Sequence, residues 1–310
     1  MNAPQSPSSV VMVRPHRFHP NEQTAADNSF QSRPLSDASV VAATAYDEVT
    51  KAVDQLVAEG VNVHLFEDDG TRGTPDSVFP NNWFSTHANG VLALFPMFAP
   101  NRRKERRQDI LDFLEDSYVV TKVLDYSGRE QDGLYLEGTG AMVLDHAGDI
   151  AYMSPSNRAN PALLKQFTSD LGMRSVLFNA VDGNRSPIYH TNVMMCIGTE
   201  FALIGLDAVA DADQRRHVLN ILRSSGKEVI ELSQRQIDEF AGNAIELHGH
   251  ERILALSERA WSSLDADQRQ RLRRHVRPVP LAVPTIELAG GSVRCMIAGV
   301  HLLPKAGRDP

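Results

Sequence analysis

Residues with the chemistry of a covalent catalyst are spread through this chain of 310 amino acids. Cys295 follows two glycines near the end of the sequence, and the positive charge of its neighbour Arg294 would favour a thiolate. His190 could donate and accept protons, and Glu137 could orient it. Brought together, these groups would attack a planar, electron-poor carbon such as that of an amidino or carbamoyl group. The alternative for a lone cysteine is a small hydrophobic residue in the core.

Composition narrows the classes of protein to which the chain could belong. A net charge of -8 argues against a general nucleic-acid surface. Two cysteines do not make a disulfide framework, and they favour a reducing, cytoplasmic setting. The N-terminus lacks the basic and apolar segments of a signal peptide, and no apolar run approaches the roughly 18 residues of a membrane helix. We therefore expect a soluble globular protein, a single domain over residues 1–310, with no nucleic-acid or membrane partner.

A long polar loop follows the first predicted strand. The strand covers residues 10–13, and the loop runs on to Gln31 with Arg14, Asn21 and Asn28 in it. A loop of this length in a compact domain is often functional, and an ordinary surface excursion is the alternative.

Beyond a predicted helix at 37–57 and a strand at 61–66, one pattern recurs. A polar motif leads into a strand, a turn, a second strand and a helix, after which the chain returns in a further strand. The turn Asn89-Gly90 is the strongest hairpin signal. The predicted strands are 91–95, 141–144 with 150–153, 193–197 with 201–206, and 244–247 with 253–256. The predicted helices of the repeats are 103–116, 161–171, 212–225 and 265–275.

The polar residues that lead the five units are regularly spaced. They are Asn82, Glu137, Asn192, Asn243 and Cys295, and the intervals between them are 55, 55, 51 and 52 residues. A near-constant period of this length indicates a repeated supersecondary unit. Five such units predict an α/β protein in which the repeats close into a ring and the leading residues meet near its axis. Chance regularity is the alternative.

Four motifs, taken together and in this order, resemble the guanidine-modifying (pentein) superfamily. They lie at residues 76–82, 136–138, 190–192 and 290–295. The superfamily includes arginine deiminases, dimethylarginine dimethylaminohydrolases and amidinotransferases, and the resemblance covers nearly the whole chain. It implies a five-bladed, pseudo-symmetric α/β propeller of ββαβ-type repeats, with a catalytic site at the axis and no metal or other cofactor. It implies Cys295 as the nucleophile, His190 as the acid and base, and Glu137 as the carboxylate.

The resemblance also implies residues that bind an amino-acid substrate. Residues 154–160 resemble the segment whose arginine grips the substrate α-carboxylate, which assigns that role to Arg158. Residues 101–105 resemble a segment with a second such arginine, and the motif leaves open whether Arg102 or Arg103 fills the role. The alternative for this basic run is a solvated helix start. Asp76, from the first motif, and Asn243, from the repeat, complete the candidate binding residues.

Two departures from the family pattern bear on the substrate. Arginine-processing members have aspartate where this chain has Asn82, and the deiminases have aspartate where it has Asn192. Neutral amides both donate and accept hydrogen bonds, which suits a ureido group better than a guanidinium. The branch that the chain most resembles is the citrulline-utilisation hydrolases (citrullinases), which the pattern around Arg14, Asn28 and Gln31 also resembles.

These features predict an enzyme that hydrolyses L-citrulline to L-ornithine, carbon dioxide and ammonia. A deiminase, a dimethylarginine dimethylaminohydrolase or an amidinotransferase acting on a guanidinium is the first alternative, and a non-catalytic binding propeller is the second. A homodimer is expected only from the family. His248 and His250 could form a metal pair, but a solvated turn explains them better, and Cys196 lies in an apolar run that predicts the core.

Overall fold

The computed structural model describes residues 4–307, and over that range the chain forms five three-stranded sheets. The strands are β1 Ser9–Pro15, β2 Asn62–Asp68, β3 Phe84–Thr86, β4 Val91–Leu94, β5 Lys122–Asp125, β6 Met142–Asp145, β7 Ile150–Met153, β8 Arg174–Leu177, β9 Met195–Ile197, β10 Phe201–Ile204, β11 Glu228–Glu231, β12 Ile245–His248, β13 Arg252–Ser257, β14 Arg277–Leu281 and β15 Ala298–Val300. The helices are α1 Ala38–Ala58, α2 Gln108–Ser117, α3 Gly138–Ala141, α4 Pro161–Leu171, α5 Ala212–Ser224, α6 Gln234–Asp238, α7 Glu258–Ser263, α8 Ala266–Leu272 and α9 Val293–Met296.

All five sheets share one topology. The middle strand pairs antiparallel with an inner strand and parallel with an outer strand, and one or two helices connect the middle strand to the outer one. The inner, middle and outer strands are β3-β4-β5, β6-β7-β8, β9-β10-β11 and β12-β13-β14, and the fifth sheet is β15-β1-β2. In that fifth sheet Val10 of β1 lies opposite Gly299 of β15, so the two ends of the chain complete one blade. The five repeats therefore form the propeller that the sequence predicted.

The middle strands are buried because helices and neighbouring blades cover them. In β10, for example, every residue of Phe201–Ile204 is inaccessible to solvent. A strand covered on both faces reads as a continuous apolar run rather than an alternating one. Helix α1 shows the complementary pattern, since Val41, Ala45, Val49 and Leu56 lie buried along one of its faces. Within residues 4–307 no helix is both long enough and apolar enough to cross a membrane.

One-turn helices at the starts of the inner strands place polar residues at the axis. The 3-10 turn Pro80–Asn82 precedes β3, α3 precedes β6, the 3-10 turn Thr191–Val193 precedes β9, and α9 precedes β15. Glycines let these turns approach one another closely. A Cβ atom on Gly140 would lie 2.1 Å from the Nδ2 atom of Asn82, and one on Gly242 would lie 2.6 Å from the carbonyl of Val193.

These turns also explain where the predicted boundaries were wrong. The strand predicted at 193–197 begins only at Met195, because the residues before it belong to the turn. Cys295, which the repeat pattern predicted to lead into a strand, lies within α9, and β15 begins only at Ala298. The helix predicted at 103–116 is divided into a 3-10 turn, Arg102–Glu105, and α2. Arg106 is extended between them and bonds to Glu130 and to the carbonyl of Phe95, contacts that outweigh local helix propensity.

Candidate active site

Two leading residues of the repeats, Asn82 and Cys295, line one small cavity together with His190, Arg102 and Arg158. These five side chains are each no more than 2 % exposed. Buried titratable groups that converge on one space mark a candidate site for a small molecule.

His190 and Glu137 form a hydrogen-bonded pair beside the cavity. The His190 Nε2 atom lies 2.8 Å from the Glu137 Oε2 atom, and the Glu137 Oε1 atom accepts from the backbone N–H of Phe98 at 2.9 Å. Burial would raise the pKa of Glu137, but the bond from His190 and the charges of Arg158 and Arg102 lower it to about 2. Because a carboxylate can only accept, Nε2 carries the ring proton, and Nδ1 is the nitrogen that can take up another.

The imidazole of His190 is neutral near physiological pH. Burial lowers its pKa from the ordinary value, against the opposing effect of the Glu137 carboxylate. No hydrogen bond joins His190 to Cys295 among the residues that the structure describes, although both line the cavity. A substrate in the cavity would therefore contact the nucleophile and the acid/base separately.

Two asparagine amides surround the sulfur of Cys295. The Nδ2 atoms of Asn192 and Asn243 lie 3.4 Å and 3.2 Å from Sγ. With both N–H groups directed at the sulfur, the two Oδ1 atoms are buried and have no partner within residues 4–307. Arg294, expected from the sequence to favour the thiolate, instead donates from Nη1 to the carbonyl of Ile297 at 2.9 Å. Neutral amides, rather than a cation in contact, surround the nucleophile.

The amide of Asn82 is held in one orientation. Its Oδ1 atom accepts a hydrogen bond of 2.9 Å from Nη1 of Arg102. A guanidinium has no acceptor, so oxygen rather than nitrogen must face Arg102. The Nδ2 group of Asn82 is therefore a buried donor, and it has no partner in the part of the chain that the structure describes.

Arg102 is the centre of a buried charge network. Its Nε and Nη2 atoms bond to both carboxylate oxygens of Glu105 at 3.0 Å and 2.9 Å, and Nε lies 3.6 Å from Asp76. Burial raises the pKa of Glu105 to about 8 and also raises that of Asp76, in both cases against the charge of Arg102. With these partners Arg102 has little capacity left to grip a substrate carboxylate, and its role in substrate binding stays a prediction.

Arg103, the other candidate of the basic run, does not line the cavity. Its Nε and Nη2 atoms donate to the carbonyls of Met97 and Phe98 at 3.0 Å and 3.2 Å, and its side chain lies 3.6 Å from Glu130. The side chain is 31 % exposed, whereas that of Arg102 is 2 % exposed. The geometry therefore favours Arg102 over Arg103 as the arginine of the site.

Arg158 is held by the long loop that follows β1. Its Nε atom donates to Asp27 at 3.1 Å, Nη2 also bonds to Asp27, and Nη2 donates to the carbonyl of Thr24 at 3.2 Å. The guanidinium lies over the ring of Tyr189, with its carbon 5.0 Å from the ring centre. The carboxylate of Asp27 thus occupies the position on Arg158 that a substrate carboxylate would be expected to take.

Sequence reasoning singled out the loop but not all of its functional residues. It named Asn21 and Asn28. Asn21 donates to Asp76 at 2.9 Å, and Asn28 donates to the carbonyl of Ala289 at 3.1 Å. It missed Asp27 and Tyr189, because a loop carboxylate and a tyrosine beside a histidine have no distinctive spacing. Among residues 4–307 no group of three or more His, Cys, Asp or Glu side chains could hold a metal ion, and His248 is exposed.

The comparisons with known proteins agree with this geometry. A family model described as N,N dimethylarginine dimethylhydrolase, eukaryotic, matches residues 14–302. The chain belongs to this family. It is therefore a member of the guanidine-modifying (pentein) superfamily, whose members are carbon–nitrogen hydrolases and amidinotransferases with a catalytic cysteine. A search of curated protein sequences gave no significant match.

Solved structures of the superfamily share the fold at low sequence identity. The N-terminal domain of ArgZ, an arginine dihydrolase from cyanobacteria, superposes with a TM-score of 0.73 and 17% identity over 94% of this chain and 97% of that domain. A mutant of the dimethylarginine dimethylaminohydrolase DDAH from Pseudomonas aeruginosa, complexed with citrulline, gives a TM-score of 0.62 and 15% identity over 95% and 99%. This chain spans about 40% of full-length ArgZ. At these identities the likeness establishes the pentein fold alone.

Proposed function

We propose that this pentein hydrolyses L-citrulline to L-ornithine, carbon dioxide and ammonia through a covalent intermediate on Cys295. The observation that carries the proposal is the orientation of Asn82. Its Nδ2 group is a buried donor without a partner among residues 4–307, on a side chain that lines the cavity. A ureido group offers a carbonyl oxygen to such a donor, whereas a guanidinium offers only further N–H groups.

The amides around the sulfur support the same substrate. The Oδ1 atoms of Asn192 and Asn243 have no partner in the described chain, and two acceptors of this kind suit the terminal NH₂ of a ureido group. Neither amide carries the negative charge that a buried guanidinium needs as a counterion. Asp76 lines the cavity with one carboxylate oxygen that has no partner among residues 4–307, but its other oxygen lies 3.6 Å from Arg102, and Glu137 already accepts from His190 and from the backbone of Phe98. A cationic head group facing amides alone would be left unpaired, which costs about 3–5 kcal/mol.

In the first half of the proposed reaction Cys295 displaces ornithine. The thiol passes its proton to Nδ1 of His190, and the thiolate attacks the ureido carbon to give a tetrahedral adduct. The N–H of Asn82 stabilises the oxyanion that develops on the ureido oxygen. His190 then gives the proton to the δ-nitrogen, the bond from that nitrogen to the ureido carbon breaks, and a carbamoyl thioester remains on the cysteine.

In the second half water releases the carbamoyl group. His190 takes a proton from water as the oxygen attacks the thioester carbon, and the proton returns to the sulfur as the carbon–sulfur bond breaks. The carbamic acid that leaves decomposes to carbon dioxide and ammonia. Glu137 holds the imidazole in the tautomer that both halves require and stabilises its protonated form. Arg158 is assigned to the α-carboxylate, which would replace Asp27.

A guanidino substrate is the second candidate, and the acidic side chains near the cavity favour it. Asp76 lines the cavity with one oxygen that has no partner among residues 4–307, and the Glu137 carboxylate lies beside it on His190, so a cationic head group would find acceptors there. The similar structures point the same way, since ArgZ is described as an arginine dihydrolase and a mutant of AgrE as a complex with L-arginine. The two candidates differ in whether the head group that meets the asparagines is neutral or charged.

A binding and turnover experiment separates them. Products of the purified protein with citrulline, arginine and dimethylarginine are identified by mass, and Kd values for citrulline and arginine are measured in the Cys295→Ala variant. We expect ornithine from citrulline, tighter binding of citrulline than of arginine, and a trapped adduct of about 43 Da on Cys295. Faster turnover of arginine, or equal Kd values, would move the guanidino substrate to first place.

The asparagines themselves supply the sharper version of this test. Replacing Asn82 and Asn192 together by aspartate in the Cys295→Ala background should weaken citrulline binding and strengthen arginine binding. The reason is that a carboxylate facing the ureido oxygen leaves an acceptor unsatisfied, at roughly 1–3 kcal/mol, and supplies the charge that a guanidinium lacks. The control is Asn101→Asp, which adds a charge near Asn21 without facing the cavity. A double variant with unchanged preference would remove the asparagines as the source of selectivity.

A further inference from the structure

The axis of the propeller encloses a second cavity, separate from the catalytic one. Inner strands of all five sheets line it. The catalytic cavity and this one share none of their lining residues. The short helix α9 connects them, because Cys295 lines the first and its neighbour Arg294 lines the second. We refer to this space as the distal cavity.

Arg294 enters the distal cavity with an almost free guanidinium. Its one side-chain hydrogen bond goes from Nη1 to the carbonyl of Ile297, and it makes no ion pair in the part of the chain that the structure describes. Burial lowers its pKa from the ordinary value, although an arginine remains charged at neutral pH. Beside the catalytic cavity Arg102 is paired with carboxylates. Arg294, in contrast, is a partly buried cation that lines the distal cavity without a carboxylate partner among residues 4–307.

The acid that lines the same cavity is fully occupied elsewhere. Glu246 is 2 % exposed, and one of its oxygens bonds to the hydroxyls of Ser6 and Thr199. Its other oxygen accepts from the backbone N–H of Thr199 at 3.1 Å. With donors on both oxygens, this carboxylate is satisfied without Arg294.

Two stacked histidines complete the polar lining. The rings of His146 and His301 lie 3.7 Å apart, and burial next to Arg294 lowers the pKa of His301 to about 4, so the ring is neutral at neutral pH. His301 bonds to the backbone of Pro4, while its Nδ1 atom is buried and without a partner among residues 4–307. The proton of the neutral ring faces the Pro4 carbonyl, so Nδ1 is an unpartnered acceptor on a residue that lines the distal cavity.

We propose that the distal cavity is a binding site for a small oxyanion that carries its own hydroxyl, the class of bicarbonate and hydrogen phosphate. The planar fork of Arg294 matches two oxygens of such an anion. The hydroxyl supplies the donor that His301 Nδ1 lacks, which a simple carboxylate such as acetate cannot do. The site is independent of the reaction proposed above, because the two cavities share no residue.

Calorimetric titration of the full-length protein tests the proposal. Bicarbonate, phosphate, acetate and chloride are titrated separately at fixed ionic strength and near-neutral pH, into the wild type and into Arg294→Met. We expect saturable binding of bicarbonate or phosphate to one site, weaker binding of acetate and chloride, and at least about tenfold weaker binding to the variant. Comparison of bicarbonate with phosphate identifies which of the two the site prefers.

Three further variants make the result decisive. Arg158→Ala removes one of the two arginines that line the catalytic cavity, and the proposed site should survive it unchanged. Arg252→Met, which removes an exposed arginine paired with Glu200, controls for the loss of one positive charge. His301→Phe keeps the ring stack on His146, and it should reduce bicarbonate or phosphate binding to the level of acetate even if Arg294→Met does not fold. Absence of saturable binding, or binding that Arg158→Ala abolishes and His301→Phe leaves intact, overturns the proposal.

Discussion

The catalytic cavity has two unlike walls. One wall is a charge network in which Arg102 contacts Glu105, Asp76 and Glu137. The other is a set of neutral amides around Cys295, in which Asn192 and Asn243 donate to the sulfur. Both walls are buried to the same degree, so exposure does not distinguish them.

The two walls differ in how many of their polar atoms have a hydrogen-bond partner within the protein. Arg102 and Glu105 form a bidentate pair and Glu137 accepts from two donors, so the charged wall leaves one polar atom, Oδ1 of Asp76, without a partner among residues 4–307, whereas the asparagines leave three. A buried polar group without a partner costs free energy in the empty protein, and a ligand can supply the missing partner. In the function proposed above, the charged wall therefore organises the site and the amide wall contacts the substrate.

The largest effect is expected from removing the thiol that the amides surround. Cys295→Ala should abolish turnover and leave the fold intact, because the nucleophile is one side chain and the change in volume is small. Ornithine and ammonia release are measured together with the thermal unfolding midpoint. Residual citrulline hydrolysis at the wild-type rate by the folded variant would rule out the covalent mechanism.

The next effect removes one charge from the charged wall while keeping its shape. Glu137→Gln should lower kcat by about 10²- to 10⁴-fold, because His190 loses the carboxylate that orients it and stabilises its protonated form. The pH profile distinguishes catalysis from stability. A kcat within a few-fold of wild type would show that His190 needs no carboxylate.

Glu137→Gln should also change the pH dependence of the unfolding free energy in a defined direction. The pKa of Glu137 is lowered to about 2 in the folded protein from an ordinary 4.5, so the ionised group stabilises the fold at neutral pH. Unfolding free energies of wild type and Glu137→Gln should differ most at neutral pH, and the difference should disappear as pH falls from about 4.5 to about 2. A difference that grows over that range would contradict the assigned ionisation.

Substitutions of Arg158 and of Asp27 test whether Asp27 and the substrate carboxylate compete for the same guanidinium. Arg158→Ala should raise KM for citrulline by roughly 10- to 150-fold, since a charge-assisted bond to a carboxylate is worth about 1.5–3 kcal/mol. Asp27→Asn should lower KM, because it removes the carboxylate that competes for the same guanidinium. The measurement is KM for citrulline and for an analogue that lacks the α-carboxylate. Equal losses on both substrates would make Arg158 structural, and a raised KM in Asp27→Asn would make Asp27 a substrate ligand.

The smallest expected effect concerns one amide. Asn243→Ala removes one of the two N–H groups directed at Sγ, and a neutral hydrogen bond of about 0.5–1.5 kcal/mol corresponds to roughly a three- to tenfold slower alkylation of Cys295 at fixed pH. The rate is measured with iodoacetamide in the absence of substrate. Faster alkylation would mean that the amide shields the sulfur rather than stabilising its thiolate.

The repeat could be predicted from the sequence, but the boundaries of its strands and helices were predicted less accurately. The interval between Asn82, Glu137, Asn192, Asn243 and Cys295 reports one supersecondary unit, and the structure confirms five units of common topology. Several of the predicted strands and helices are displaced or shortened by a few residues. The reason is that turn residues such as Asn192 face the axis and bond across it, a long-range effect that local pattern cannot report.

The site residues were largely recognisable, but their partners were not. Residue type and motif identified Cys295, His190 and Glu137 as candidates, and the structure places Cys295 and His190 at one cavity with Glu137 bonded to His190. The choice between Arg102 and Arg103 depended on which side chain the 3-10 turn directs inward. Asp27 could not be predicted, because its contact with Arg158 joins residues 131 positions apart in the chain.

The sequence by itself determined the number of repeats, the kinds of chemical group at their heads and the neutrality of Asn82 and Asn192. These features depend on residue type and local spacing, which the covalent chain carries directly. Only the tertiary structure decided which atom of Asn82 accepts and which is left as a donor, since that depends on the guanidinium of Arg102, 20 residues away. It likewise decided that Arg294 lines the distal cavity while Cys295 lines the catalytic one, because adjacent side chains on one helical turn point in different directions.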